Sequence, residues 1–250
     1  MIDDELLRYS RQIMLPEMDI SGQQALLDAK VLVVGLGGLG SPVAMYLASA
    51  GIGALVLVDD DVVELSNLQR QIAHGSDTLG QLKVESAKQT LQRLNPSIEI
   101  TTIHERLEGE AVDALVSQCD IVVDACDNFQ TRFAVNESCV KFAKPLVSGA
   151  AIRMEGQIIV FNTSNPDSPC YRCLYSEDIA EDLNCATNGV MAPLVGIIGA
   201  MQAMEAIKVL TNIGQSLEGR LLLLDAKFME WREVKLPRDP KCPTCSARER

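Results

Sequence analysis

The stretch Lys30-Val31-Leu32-Val33-Val34-Gly35-Leu36-Gly37-Gly38-Leu39-Gly40 reads as a strand that runs straight into a glycine-rich turn. Its first half is an apolar run of strand length without alternation, the mark of a strand buried on both faces. The glycines allow a tight turn and a close approach of backbone to a phosphate. The amino end of the next predicted helix, Pro42–Ala50, favours negative charge at that point. A second apolar strand, Ala54–Val58, ends at Asp59, where a carboxylate can accept hydrogen bonds from ribose hydroxyls. In this strand–turn–helix setting the motif points to an adenosine-containing ligand. The competing reading is that the glycines serve only helix–strand packing.

Outward from this core the alternation continues. Helices are predicted over Gln81–Leu94, Gly109–Ser117 and Phe129–Phe142, with strands over Ser97–Thr102, Asp120–Val123 and Pro145–Ser148. Upstream, Ile2–Met14 reads as one helix. The pattern changes near residue 150. Gln157–Phe161 and Arg220–Leu224 read as strands without crossover helices, and Met229–Leu236 alternates as a half-exposed strand would. Between them lie a cysteine-bearing loop, Asn165–Asn188, and a helix, Pro193–Leu210. The predicted fold is α/β: a Rossmann-like, doubly wound, mostly parallel sheet extended by C-terminal antiparallel strands. No repeat or linker divides the chain. It is read as one domain over 1–250, with a nucleotide-binding half (1–150) and an antiparallel extension (151–250).

Composition narrows the function. A formal net charge of −12 and only 4% aromatic residues argue against a nucleic-acid surface or an anionic membrane. The N-terminus has no basic and apolar leader, and the apolar stretch Gly189–Met204 is short for a membrane span and contains Pro193. It is expected to be a buried or subunit-interface helix, and the chain to be cytoplasmic. The 8 cysteines are then metal ligands, catalytic thiols or core residues rather than disulfides.

A hydride-transfer enzyme would show the same glycine turn and the same Asp59. It would also need an acid/base residue, and His74 and His104 stand in contexts that suggest surface positions. A nucleoside triphosphate needs cations for its phosphates and a carboxylate for Mg²⁺. Ser66-Asn67-Leu68-Gln69-Arg70 and Asp127-Asn128 fall in loops after parallel strands, where ligands of such sheets bind, and Lys83 stands in the first turn of the predicted helix Gln81–Leu94. Arg70 and Lys83 can supply the cations and Asp127 the metal ligand. Two knuckles, Cys170-x-x-Cys173 and Cys242-x-x-Cys245, give four thiolates in the number and local spacing that tetrahedral Zn²⁺ prefers. Their wide separation means that the metal would tie the C-terminal tail to the body. Cys119, Cys126 and Cys139 are expected to pack as small apolar side chains.

Taken together, Arg8-Tyr9-Ser10-Arg11-Gln12, the glycine turn, Ser66–Gln71, Asp127-Asn128, Cys170–Cys173, Gly189–Pro193 and Cys242–Cys245 resemble the MoeB/ThiF/HesA family, relatives of the ubiquitin-activating enzymes. One departure is Ser246, where relatives usually carry glycine. The resemblance implies an adenylyltransferase using ATP, Mg²⁺ and Zn²⁺. The C-terminal glycine carboxylate of a ubiquitin-like sulfur carrier would attack the α-phosphate, giving an acyl-adenylate and pyrophosphate. Gly38, Asp59, Asn67, Arg70, Lys83, Asp127 and Asn128 would contact ATP or its metal. Arg11 would cross a homodimer interface to the phosphates of the other copy, and Cys185 can take part in a covalent step with the activated carrier. The run Ser148–Gln157 is more similar to the MoeB branch, which implies a MoaD-like carrier, the small subunit of molybdopterin synthase. A ThiS-like carrier of thiamine biosynthesis is the alternative, with a non-catalytic scaffold further behind. Sulfur would come from a separate sulfurtransferase or cysteine desulfurase.

Overall fold

The computed structural model describes residues 1–176 and 189–246. Cys185, singled out above, lies outside the described residues. Eight strands form one sheet in the order β3-β2-β1-β4-β5-β6-β7-β8. These are β1 (Lys30–Val34), β2 (Ala54–Val58), β3 (Glu99–Ile103), β4 (Ile121–Asp124), β5 (Leu146–Ile152), β6 (Glu155–Phe161), β7 (Arg220–Asp225) and β8 (Glu230–Lys235). Pairing is parallel from β3 to β5 and antiparallel from β5 to β8. The predicted architecture is therefore present.

Strand alternation builds two cores. Val31 and Val33 of β1 join Leu55, Leu57, Ile121 and Val123 on one face of the sheet. Packed there are α3 (Asp19–Asp28), α4 (Gly40–Ala50), α5 (Lys83–Leu94) and α9 (Ala192–Thr211). Leu32 and Val34 look the other way, toward α6 (Glu110–Ser117), α7 (Phe129–Lys141) and the short α8 (Tyr171–Leu174). Both faces of β1, β2 and β4 are thus covered, as their unbroken apolar runs require, while the edge strand β3 stays partly exposed.

Several expectations need correction. The N-terminal helix is broken at Tyr9 (φ −98, ψ 11) into α1 (Asp3–Arg8) and α2 (Ser10–Ile13), and α3 follows where no helix was predicted. β5 runs on through a hairpin at Arg153 and Met154 into β6, instead of stopping near Ser148. β8 is exposed along its whole length rather than on one face. α9 has 20 residues, long and apolar enough by length and composition to cross a membrane, so the shortness argued above does not hold. Its surroundings identify it as a core helix: Leu194, Val195, Ile198, Ala203 and Ala206 are buried against the sheet and α4.

Candidate active site

The carboxyl ends of β1, β2 and β4 open into a cleft of about 920 Å³. The strand order reverses between β1 and β4, which is where open α/β sheets bind ligands. The glycine turn forms one wall. A Cβ at Gly40 would lie 1.8 Å from the Gly35 carbonyl, so α4 can begin directly under the turn only with glycine there.

The turn is held from both sides. Asp59 Oδ2 accepts from the Leu36 N–H at 2.7 Å, and Oδ1 from the Asp61 N–H at 2.9 Å. Burial raises the Asp59 carboxyl above its ordinary pKa, and the nearby Lys83 ammonium pulls it back. The Leu36 carbonyl meets His74 Nε2 at 3.0 Å, while His74 Nδ1 lies 2.9 Å from Ser86 Oγ. His74 is therefore a buried brace of the glycine turn and not the surface residue the sequence suggested. His104 is exposed, as expected.

Lys83 opens α5 from a buried position and ion-pairs with Asp61 Oδ2 at 2.7 Å and more distantly with Asp59 Oδ1 at 4.0 Å. Asp61 is 65% exposed, so that partner is readily exchanged for a phosphate oxygen.

A buried ion pair forms the floor. Arg132 Nη1 lies 3.2 Å from Asp124 Oδ2, and both side chains are at most 6% exposed. Arg132 Nη2 also donates to the carbonyls of Cys126 (2.5 Å) and Gly149 (2.8 Å), which joins the loop after β4 to β5. Burial works against the Arg132 charge, but Asp124 and then Tyr171 outweigh it and hold the guanidinium above its ordinary pKa. Cys126 donates its thiol to Asp124 Oδ1 at 2.8 Å, and burial, then Asp124, push its pKa up. Above this floor, Asn128 Oδ1 accepts from the Thr131 N–H at 2.8 Å and caps α7. Asp127 projects into the cleft, exposed and without a hydrogen bond or ion pair among the described residues.

Arg70 reaches back to the Ser66 carbonyl at 3.1 Å and lines the cleft with Gln69. Ser66, Asn67 and Leu68 do not line it; Asn67 instead accepts from the Glu64 N–H at 3.2 Å and shapes the turn that carries Arg70. Arg11 is exposed on α2 and outside the cleft of its own chain. The cleft continues to the antiparallel strands, past the mutually hydrogen-bonded Gln157 and Tyr175 (2.7 and 2.9 Å) to Arg232.

Away from the cleft, the four cysteines of the two knuckles converge. Cys170 and Cys242 sulfurs are 3.6 Å apart, Cys173 and Cys245 sulfurs 3.5 Å, and all four lie within 4.8 Å of one another. Such separations are far too long for disulfides. They are close to the edge of about 3.8 Å expected for sulfurs around a tetrahedral Zn²⁺ at about 2.3 Å. The thiol of Cys170 and the N–H groups of Cys170 and Asp239 stabilise the Cys173 thiolate, lowering its pKa to about 5.

The model of the ThiF family matches residues 9–244. The chain belongs to the ThiF family. It is 51% identical over 243 residues to the molybdopterin-synthase adenylyltransferase of Salmonella typhimurium, covering 97% of each chain. It is 45% identical over 245 residues to the Escherichia coli sulfur carrier protein ThiS adenylyltransferase, covering 98% of this chain and 97% of that one. Among solved structures, Escherichia coli MccB with ATP superposes with a TM-score of 0.84 at 26% identity, over 95% of this chain and 73% of that one.

For this ThiF-family chain, the cleft gathers Gly38, Asp59, Gln69, Arg70, Lys83, Asp127 and Asn128 from the sequence-derived set. Sequence reasoning missed Arg132 as the anchor of the loop after β4. It also missed Gln71, which lines the cleft, 4% exposed, with Oε1 unpartnered among the described residues. An acidic residue ending a buried strand, as Asp124 does, signals a required cation nearby. His74 carries its own test. Burial holds its folded pKa below the ordinary imidazole value of 6.5, so the unfolded chain takes up the proton first. The stabilising contribution is present above 6.5 and is lost as pH falls from there toward the folded value. The thermal midpoint is expected to drop between about pH 7 and pH 5.5, with a shallower slope in His74→Gln.

Proposed function

We propose that this chain uses ATP to adenylate the C-terminal glycine carboxylate of a ubiquitin-like sulfur carrier, first of all a MoaD-like small subunit of molybdopterin synthase. The observation that carries the reading is the single cleft in which glycine turn, Asp59, Arg70, Lys83 and Asp127 face one another. The 51% identity to a molybdopterin-synthase adenylyltransferase supplies the partner class. The setting is a cytoplasmic homodimer.

In this mechanism Asp59, with lone pairs left beyond its two backbone bonds, accepts the ribose hydroxyls. The glycine turn and the amino end of α4 hold the phosphates. Lys83 leaves Asp61 for the triphosphate, and Arg70 adds a second positive charge. Asp127 would hold Mg²⁺, which supplies charge neutralisation on the phosphates. Arg11 would complete the site of a second copy. The carrier's tail would enter past Gln157 and Tyr175, its carboxylate displacing pyrophosphate from the α-phosphorus. Such a reaction needs positioning and charge balance more than covalent participation by the protein. Cys185 would act after adenylation: Cys185→Ala should leave adenylation intact and abolish sulfur transfer, whereas normal transfer would remove that role.

The test is carrier-dependent ATP–pyrophosphate exchange with purified MoaD-like and ThiS-like carriers. Exchange with the MoaD-like carrier is expected. The 45% identity to a ThiS adenylyltransferase favours a second reading, and exchange with the ThiS-like carrier alone would establish it. No exchange with either would sink the adenylation proposal for these partners.

A further inference from the structure

Arg11 is flanked by residues that the cleft does not use. Tyr9 and Asn95 are 2% and 0% exposed. Asn95 Nδ2 donates to the Tyr9 hydroxyl and to the Ala48 carbonyl, both at 2.8 Å. Gln12 Nε2 donates to the Ala50 carbonyl at 3.0 Å and to Gln23 Oε1 at 2.7 Å, and Gln23 Nε2 reaches the same Ala50 carbonyl at 3.0 Å. Ala48 and Ala50 belong to the last turn of α4; the Ala48 carbonyl also accepts from the Gly51 N–H at 3.2 Å, and the Ala50 carbonyl takes both of its side-chain donors from this cluster. Gly51, left-handed at φ +89, closes that turn, and a Cβ there would lie 2.5 Å from Tyr9 Cζ. The Tyr9 ring thus fills the space beneath the helix end.

Burial separates the three residues. Tyr9 is buried and Gln12 half-buried against the end of α4, whereas Arg11 between them is exposed. Arg11 is exposed and has no ion pair or side-chain hydrogen bond among the described residues. Helix α4 therefore carries the phosphate turn at its amino end and the arm bearing Arg11 at its carboxyl end.

We infer that Tyr9 and Gln12 are positioning residues for Arg11, fastening its arm to the carboxyl end of α4 so that the guanidinium is presented to a nucleotide held by a second copy of this chain. The inference rests on the adenylation reading above, in which Arg11 serves the other copy's site. A residue that merely stabilised its own chain would affect its own cleft. A positioning residue for Arg11 affects the other one.

Tyr9→Phe keeps the ring under Gly51 and removes only the hydroxyl. It should lower carrier-dependent exchange about tenfold, since small misplacements of a positioned group cost that much or more. The deciding measurement uses heterodimers of differently tagged full-length chains. With Tyr9→Phe on one chain and Lys83→Ala on the other, the intact cleft receives an intact arm, and about half of wild-type exchange should remain. With both substitutions on one chain opposite wild type, the only intact cleft receives the altered arm, and exchange should fall about tenfold below that. Equal activities, or the reverse order, would overturn the inference. Arg11→Ala in the same two arrangements is the control. If it shows no dependence on arrangement, the role of Arg11 in the other copy fails, and the inference with it. Absence of exchange in wild type with both carriers instead fails the adenylation reading itself. Should Tyr9→Phe not fold, Gln12→Ala, at a half-buried position, replaces it in both arrangements with the same expectations.

Discussion

Asp127→Ala is expected to lower carrier-dependent ATP–pyrophosphate exchange by about two to three orders of magnitude, the usual cost of removing one preorganised charge-stabilising group. The thermal midpoint should scarcely move. Asp127 is exposed and makes no hydrogen bond or ion pair among the described residues, and surface substitutions of that kind stay within about 0.5 kcal/mol. The split between activity and stability is the diagnostic part. Neighbouring Asn128 cannot give so clean a result, because its carboxamide caps α7 and its loss would cost about 1 kcal/mol of stability as well. Asp127→Asn, which keeps an oxygen but not the charge, should be nearly as impaired and should need more Mg²⁺. Retained exchange in Asp127→Ala would remove the residue from the metal-holding role.

The position of Asp127 depends on what lies under it. Its loop is fixed at Cys126 by Arg132, at Asn128 by the α7 cap, and at Ala125 by a backbone bond to Val34 at 2.9 Å. The exposed carboxylate therefore stands on a buried charged network. Only the carboxylate and its position in a loop after a parallel strand were readable beforehand.

That difference shows where the sequence is legible. β1, β2 and β4 announce themselves because a strand covered on both faces must be apolar throughout, and the glycine turn because α4 starts too close to Gly35 for any side chain. Asp127 could be placed because loops after parallel strands gather at one sheet edge. Helix α3 was invisible because it buries Gly22 and the polar Gln23 beside Leu26, and Gln23 is there to satisfy the Ala50 carbonyl. His74 was misplaced for a similar reason: its burial depends on the Leu36 carbonyl and Ser86, partners distant in sequence. β8 alternates as a half-covered strand would, yet as the sheet edge of a single chain it has neither face covered. Polar residues buried by tertiary hydrogen bonds leave little periodic trace, whereas apolar burial does.

The second large effect concerns the cysteines. Among the described residues the C-terminal tail is held to the body by polar contacts: Arg238 donates to the carbonyl of Pro166 (2.8 Å), the Asp239 N–H to Cys173 Sγ (3.4 Å), and the Leu236 N–H to the Gly219 carbonyl at 2.8 Å. The tail's own buried side chains in this region are Cys242 and Cys245, so it has scarcely any apolar core of its own. A Zn²⁺ bound by the four sulfurs would close the connection between α8 and the tail. Thiolate sites of this kind contribute about 10 kcal/mol or more of apparent binding free energy in small zinc modules. Part of that here would offset the ordering of the tail, which leaves several kcal/mol. For a chain of this size, that corresponds to a drop in thermal midpoint of about 10 °C on metal removal. Cys245→Ser should bind no zinc, show that drop without chelator, and become insensitive to chelator, whereas wild type loses about one metal per chain. Amide exchange in residues 236–246 should rise first, ahead of the sheet. A wild-type protein without metal, or one whose midpoint ignores both chelator and Cys245→Ser, would leave the four cysteines as neighbours in a packed loop and no more.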